Sequence, residues 1–192
     1  MNFRAWRALA TGAVALLCAG CAAFTAGERA PSAAPFDILG RVLASHDGRA
    51  FSANFRWRYA AGDSEVWLMS PAGQTLAHIA ADAGGATLMA ADRQEYRALS
   101  VESLTRQALG WPLPLTQLQH WIHGQAVPGD VIAAVARDAH GRLSLLEQDG
   151  WSIRYAYPDP PDGTQQPRRL DMKQGAQRIL MVIDEWRPLS LP

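Results

Sequence analysis

The stretch FSANFRWRY (51–59) alternates without a break. Phe51, Phe55, Trp57 and Tyr59, with small Ala53, fall on one side, and Ser52, Asn54, Arg56 and Arg58 fall on the other. A period of two is the pattern of a strand with one face buried and one face wet, and it excludes a helix here. SEVWLMS, QTLAHIA, ATLMAA and QEYRAL follow at short intervals, with Gly62-Asp63, Pro71-Ala72-Gly73 and Gly84-Gly85 between them. Turn residues so placed imply an antiparallel meander.

The middle of the chain changes period. Ser100 is placed to cap VESLTRQAL, and Gly110 to stop it. After WPLP comes LTQLQHWIH, closed by Gly124. At 100° per residue, Leu115, Leu118, Trp121 and Ile122 share one face, and His120 and His123 lie on the other side. Strands then resume with VIAAVARD, RLSLLEQ and WSIRYAY. Beyond the loop PDPPDGTQQP they continue with RRLDMKQ and QRILMVIDEW. The expected fold is therefore mainly β, with about eleven antiparallel strands and a few helices. A sheet of that size curls, and its apolar face must be covered. With so few helices, the economical form is an unclosed half-barrel with helices across its opening, either packed solid or enclosing an apolar cavity.

Residues 1–20 carry the three parts of a secretion signal: Arg4 and Arg7, the apolar run 8–17, and Ala19-Gly20 as a small-residue cleavage site. The run of about ten residues is too short to span a bilayer. Cys18 and Cys21 are the only cysteines, and their spacing would suit a redox pair or half a zinc site. Neither reading has its context, since no further ligand set surrounds them. The segment resembles a bacterial lipobox, in which Cys21 is lipidated and becomes the first residue while Cys18 leaves with the signal. Ala22 then points to the outer membrane rather than the inner. The expected organisation is a signal at 1–20, an anchor and Ala/Pro/Gly-rich tether at 21–35, and a domain at 36–192.

Composition excludes more than it assigns. The whole chain has a formal charge of +0, and losing Arg4 and Arg7 makes the remainder slightly negative. No basic patch marks a nucleic-acid binder. The seven tryptophans suit a core or a pocket for apolar ligands. His120-x-x-His123 lacks a third metal ligand at motif spacing and reads as two solvent-facing histidines. Gly62-Asp63-Ser64 lies in a turn, with no Asp-x-x-His to complete a hydrolase, and Gly-x-Ser-x-Gly is absent. No phosphate-binding glycine loop is present. His46 and His140 sit in the hairpin segments SHDGR and DAHGR. These residues propose no catalytic centre, no metal and no cofactor.

Several landmarks occur in a telling order: GRV (40–42), FSANFRW (51–57), SPAGQTL (70–76), GWPLPLTQLQHWIHG (110–124), QDGW.I.Y (148–155) and VIDEW (182–186). Together, behind a lipobox, they resemble the LolB family of outer-membrane lipoprotein receptors over essentially the whole mature chain. The resemblance implies a half-barrel capped by helices around a hydrophobic cavity. It also implies a monomeric receptor that takes client lipoproteins from the periplasmic carrier LolA. It would place them in the inner leaflet of the outer membrane, itself held there through Cys21 on the periplasmic face. A pocket for acyl chains fits the chemistry, because each methylene kept from water is worth about 0.8 kcal/mol. The candidate wall residues are Phe55, Trp57, Tyr59, Met69, Leu88, Ile153 and Ile183. The candidate lid is Trp111, Leu115, Leu118, Trp121 and Ile122. In the family, the loop matching Pro71-Ala72-Gly73 carries a bulky apolar residue that touches the membrane. Here that position is Ala72, so insertion is expected to be weaker or shared with Met69. The rival readings are a lipoprotein that binds another apolar ligand, and a structural lipoprotein with a solid core.

Overall fold

The computed structural model describes residues 33–159 and 165–189. The signal, Cys21 and most of the tether lie outside the described residues, as does part of the loop before the last two strands. Among the described residues eleven strands form one antiparallel sheet, and its first six are β1 (Phe36–His46), β2 (Arg49–Ala60), β3 (Asp63–Met69), β4 (Thr75–Asp82), β5 (Gly85–Ala90) and β6 (Glu95–Ala98). Two helices follow, α1 (Val101–Leu109) and α2 (Leu115–Trp121). The remaining strands are β7 (Ile132–Arg137), β8 (Leu143–Gln148), β9 (Trp151–Ala156), β10 (Arg169–Gln174) and β11 (Gln177–Arg187). Their spatial order is β6-β5-β4-β3-β2-β1-β11-β10-β9-β8-β7. The chain thus builds one wing, crosses over through the helices, and builds the other from its far edge inwards. β1 and β11 meet in the middle, and among the described residues β6 and β7 have a strand partner on one side only, so the barrel is unclosed.

Local chemistry explains the turns. β1 and β2 are joined by Asp47-Gly48, both at positive φ (48° and 77°). That is the two-residue turn whose twist matches a hairpin, and Asp-Gly is among its preferred pairs. The inner row of β2 is as the alternation implies, with Ala53, Phe55, Trp57 and Tyr59 all buried. Gly40 faces Phe55 across the β1–β2 ladder beside a bulge between Leu39 and Gly40. A Cβ at Gly40 would lie 2.8 Å from the Phe55 ring and would also strike the Val182 carbonyl. The Phe55 ring therefore occupies the space that a side chain at position 40 would need.

α1 begins and ends where its sequence signals place it. The Ser100 hydroxyl accepts from the Ser103 N–H at 3.2 Å, and Gly110 closes the helix at φ 89° with its N–H on the Arg106 carbonyl. α2 is shorter than its apolar stripe, ending at Trp121, and Pro114 before it offers no side-chain cap. His123 follows in a turn, where its N–H reaches the His120 carbonyl at 3.0 Å. The pair expected to face solvent does not do so. Both rings are half-buried; for His123 the cause is that the helix stops before it and the turn swings the ring against Phe36 (centroids 5.5 Å apart) and Trp186 (5.1 Å).

Candidate functional site

Under α2 lies an apolar cavity of about 50 Å³. Its floor is the inner row of the central strands: Val42 and Ala44 of β1, Phe51, Phe55 and Trp57 of β2, and Ile179 and Met181 of β11. Val66, Leu68 and Ile79 of β3 and β4 form one side. Leu113, Leu115 and Leu118 form the roof. The one polar atom in this floor is neutralised, since the Trp57 indole N–H donates to the buried Ser64 hydroxyl at 2.8 Å. A chamber so lined offers dispersion and desolvation and no directional contact, which suits a flexible hydrocarbon better than a polar solute.

The roof is held at both ends, and between them the Thr116 N–H donates to the Glu102 carboxylate of α1 at 3.2 Å. At its entrance the Gln177 amide donates to the Pro112 carbonyl at 3.3 Å, and the Leu113 N–H donates to the Thr105 hydroxyl at 2.9 Å. Trp111 stacks on His46 there, with centroids 5.7 Å apart. At the exit the fully buried Gln148 takes hydrogen bonds from the Trp121 indole N–H (3.1 Å) and the Val127 N–H (2.9 Å). Its own amide returns one to the Val127 carbonyl at 2.8 Å. Between these points Leu115 and Leu118 meet the sheet through apolar contact across the cavity. Pockets that hold drug-sized ligands run from about 300 to 1,000 Å³, so this chamber is small for such a ligand.

Of the wall and lid residues named from sequence, Phe55, Trp57, Leu115 and Leu118 come together around the cavity. Tyr59, Leu88, Trp111, Trp121, Ile122, Ile153 and Ile183 are buried in the continuous core but do not line it. Met69 pairs with Asn54, in the row of the ladder opposite to that of Phe55. Sequence reasoning passed over Val42, Ala44, Val66, Leu68, Ile79, Leu113, Ile179 and Met181 as cavity residues, and placed Phe51 on the inner face without naming it as wall. Their inward phase is readable strand by strand, but their convergence depends on register: Leu68 faces Phe55, Val66 faces Trp57, and Met181 faces Val42.

The 70–74 loop is a compact tip. The Ser70 N–H donates to the Gln74 carbonyl at 2.8 Å, the Gly73 N–H to the Ser70 carbonyl at 2.9 Å, and the Gln74 N–H to the Ser70 hydroxyl at 3.2 Å. Pro71, Ala72 and Gly73 are all exposed at its end. Next to it a bulge in the β3–β4 ladder skips Leu76, which is 40% exposed. Burial pushes the pKa values of His120 and His123 below the ordinary histidine value, opposed by the Asp130 charge and by a hydrogen bond with the Ala34 backbone respectively. Among the described residues no three His, Cys, Asp or Glu side chains are grouped as metal ligands would be. Among them, too, no helix is long and apolar enough to cross a membrane.

A family model described as outer membrane lipoprotein LolB matches residues 34–186, nearly the whole of the domain just described. The chain belongs to the LolB family. A protein of Chromobacterium violaceum named outer-membrane lipoprotein LolB is 41% identical over 179 residues, covering 91% of this chain and 95% of the relative. One from Azoarcus sp. with the same name is 34% identical, covering 95% of each chain. One from Nitrosomonas europaea is 33% identical, covering 80% of this chain and 73% of its own length. The unclosed sheet, its two covering helices and the apolar chamber between them are thus the form that the LolB sequence pattern takes in this chain.

Proposed function

We propose that this chain receives lipoproteins from the periplasmic carrier LolA and places them in the inner leaflet of the outer membrane. It acts as a binding and transfer protein rather than an enzyme. The observation that carries the reading is a wholly apolar chamber, roofed by the leucines of a short helix, in a member of the LolB family. A lipoprotein's acyl chains cannot cross water unshielded, at about 0.8 kcal/mol per exposed methylene. The chamber offers them an intermediate refuge, weaker than the bilayer, between Leu115 and Leu118 above and Phe55 and Trp57 below. Cys21 carries the lipid anchor, and the residues after it tether a domain whose packed core begins by Ala33 rather than at residue 36. The Pro71-Ala72-Gly73 tip meets the leaflet, helped by Leu76.

The test is a transfer assay. Carrier loaded with a labelled triacylated lipoprotein is mixed with this protein and then with phospholipid vesicles. Label is expected to pass to the protein and on to the vesicles; label that stays on the carrier under all conditions refutes the reading. Ala44→Phe, confirmed as folded by circular dichroism, puts a ring into the chamber and is expected to abolish uptake. Uptake at the parent rate by that variant would place the acyl chains elsewhere.

A further inference from the structure

The outer face of the central strands is not uniformly polar. Leu43 of β1 stands directly across from Leu180 of β11, and Arg41 from Val182. Leu43 is 42% exposed, and Leu180 and Val182 are half-buried. With Ser52 and Asn54 of β2 and Pro71 of the 70–74 tip they line a groove of about 340 Å³. Side chains alternate along a strand, so this groove and the chamber lined by Ala44, Ile179 and Met181 lie on opposite faces of the sheet. Unlike the chamber, it is within the roughly 300–1,000 Å³ of pockets that hold drug-sized ligands.

The charges beside the groove leave donors along one edge. Val182 sits between Arg41 on β1 and Arg169 on β10, whose strands are two spacings, roughly 10 Å, apart. Both arginines are exposed. The Asp184 carboxylate accepts from Nε and Nη2 of Arg41, at 3.0 and 2.9 Å. A guanidinium carries more N–H donors than one carboxylate uses, and those on Nη1 remain. Asp171, which faces Leu180, accepts in the same way from Arg178, at 3.0 and 2.7 Å. Both acids are thus engaged, and an incoming ligand meets two guanidinium edges beside an apolar floor.

We propose that this groove binds one anionic phospholipid of the leaflet. Its phosphate lies between Arg41 and Arg169, and one acyl chain runs over Val182, Leu180 and Leu43 towards Pro71. The planar fork of arginine offers paired N–H bonds to phosphate oxygens. Inorganic phosphate would leave the apolar floor in water, and a neutral hydrocarbon would leave the arginines unused. An anionic amphiphile satisfies both. The inference rests on the reading that the 70–74 tip meets the leaflet. The exposed tip itself, Pro71-Ala72-Gly73, carries little apolar area, and a lipid held in the groove behind it adds more.

The experiment uses the full-length lipidated protein in phosphatidylcholine vesicles containing a phosphatidylglycerol with a photoactivatable diazirine on one acyl chain. After irradiation, peptide mass spectrometry is expected to find adducts at 41–43 and 180–182 as well as on the tip at 70–76. Arg41→Gln with Arg169→Gln, its fold checked by circular dichroism, should lower the groove adducts about fivefold and spare those on the tip. The same diazirine chain on phosphatidylcholine should label the groove severalfold less, and excess inorganic phosphate should not compete. Adducts on the tip alone overturn the groove and leave the tip's contact with the leaflet standing. Adducts at neither place overturn both. Groove labelling that ignores the two arginines or the headgroup, or that inorganic phosphate removes, overturns the proposal as well.

Discussion

One sheet carries two kinds of wall. Between β4 and β11 the inner row stands off from α2 and leaves a cavity, whereas across β8, β9 and β10 the same kind of row is packed solid. Leu146, Ile153, Leu170 and Met172 in the solid wing have no exposed surface. Trp121 lies against Trp151 there, with centroids 6.1 Å apart, and Gln148 locks its indole in place. In the hollow wing the inner row is interrupted by small residues, Gly40, Ala44 and Ala53, and the roof above is leucine. Alternation makes a wall, and side-chain size together with the position of the roof decides whether it is hollow.

Truncation should expose that difference most strongly. Leu146→Ala removes a side chain touched on every side, while Leu115→Ala removes one that already borders empty space. Large-to-small changes cost about 2–5 kcal/mol, more where neighbours cannot collapse and where more contacts are lost. Within that range Leu146→Ala is expected at about 4 kcal/mol and Leu115→Ala at about 2 kcal/mol by urea unfolding. Equal losses would mean that the hollow wing closes in solution.

Next is the pin that fixes the solid end of the roof. Gln148→Leu keeps the bulk and leaves the Trp121 and Val127 N–H groups without their acceptor. Each buried donor so stranded costs about 1–3 kcal/mol, so a loss near 3 kcal/mol is expected in the same unfolding assay. The entrance pin should matter less, because Gln177→Leu strands only the Pro112 carbonyl, at about 1 kcal/mol.

The ease of reading these features from the chain divides along the same line between local and distant. FSANFRWRY, the Ser100 cap, the Gly110 stop and the Asp47-Gly48 turn are local signals, and each stands where its chemistry puts it. The half-barrel followed from counting strands against helices. The composition of the cavity did not, because it depends on which residues of separate strands come level. Leu68 meets Phe55 only through the β2–β3 register, and Ala44 looks like filler until Leu113 and Leu115 are placed above it. VIAAVARD reads as an ordinary strand, and its place at the sheet's edge is set by a crossover that no alternation reveals. His123 was misjudged because a helical phase was carried past the end of the helix.

Acid should act on the roof's exit end. Burial disfavours the imidazolium of His123 and of His120, so both take up a proton more readily when the chain is unfolded. Their contribution to stability is full above the ordinary histidine pKa of about 6.5 and is lost as pH falls below it, levelling off under the folded-state values. The urea midpoint is expected to drop between pH 7.5 and pH 5.5. His123→Phe keeps a ring against Phe36 and Trp186 and removes one titration, so it should flatten that drop. An unchanged slope would assign the acid sensitivity to other groups.

The smallest effect on stability is expected at the loop, where the comparison turns from the inner face of the hollow wing to its rim. Exposed substitutions away from packed features stay within about 0.5 kcal/mol, so Ala72 and Leu76 can be altered without disturbing the cavity. Leu76 projects at 40% exposure because the ladder skips it, and a leucine offers a bilayer far more apolar area than the methyl of Ala72. If the rim delivers lipoproteins to the leaflet, Leu76→Ala should slow the vesicle step of the transfer assay and leave uptake from the carrier unchanged. Ala72→Leu should restore it in the same background, whereas Ala72→Glu should slow it further through the cost of bringing a carboxylate to lipid. Met69→Ala should change little, because Met69 sits half-buried in the ladder row beside Asn54. Delivery that is indifferent to the Leu76 and Ala72 variants would separate the rim from the mechanism and leave the hollow wing as the sole acting part.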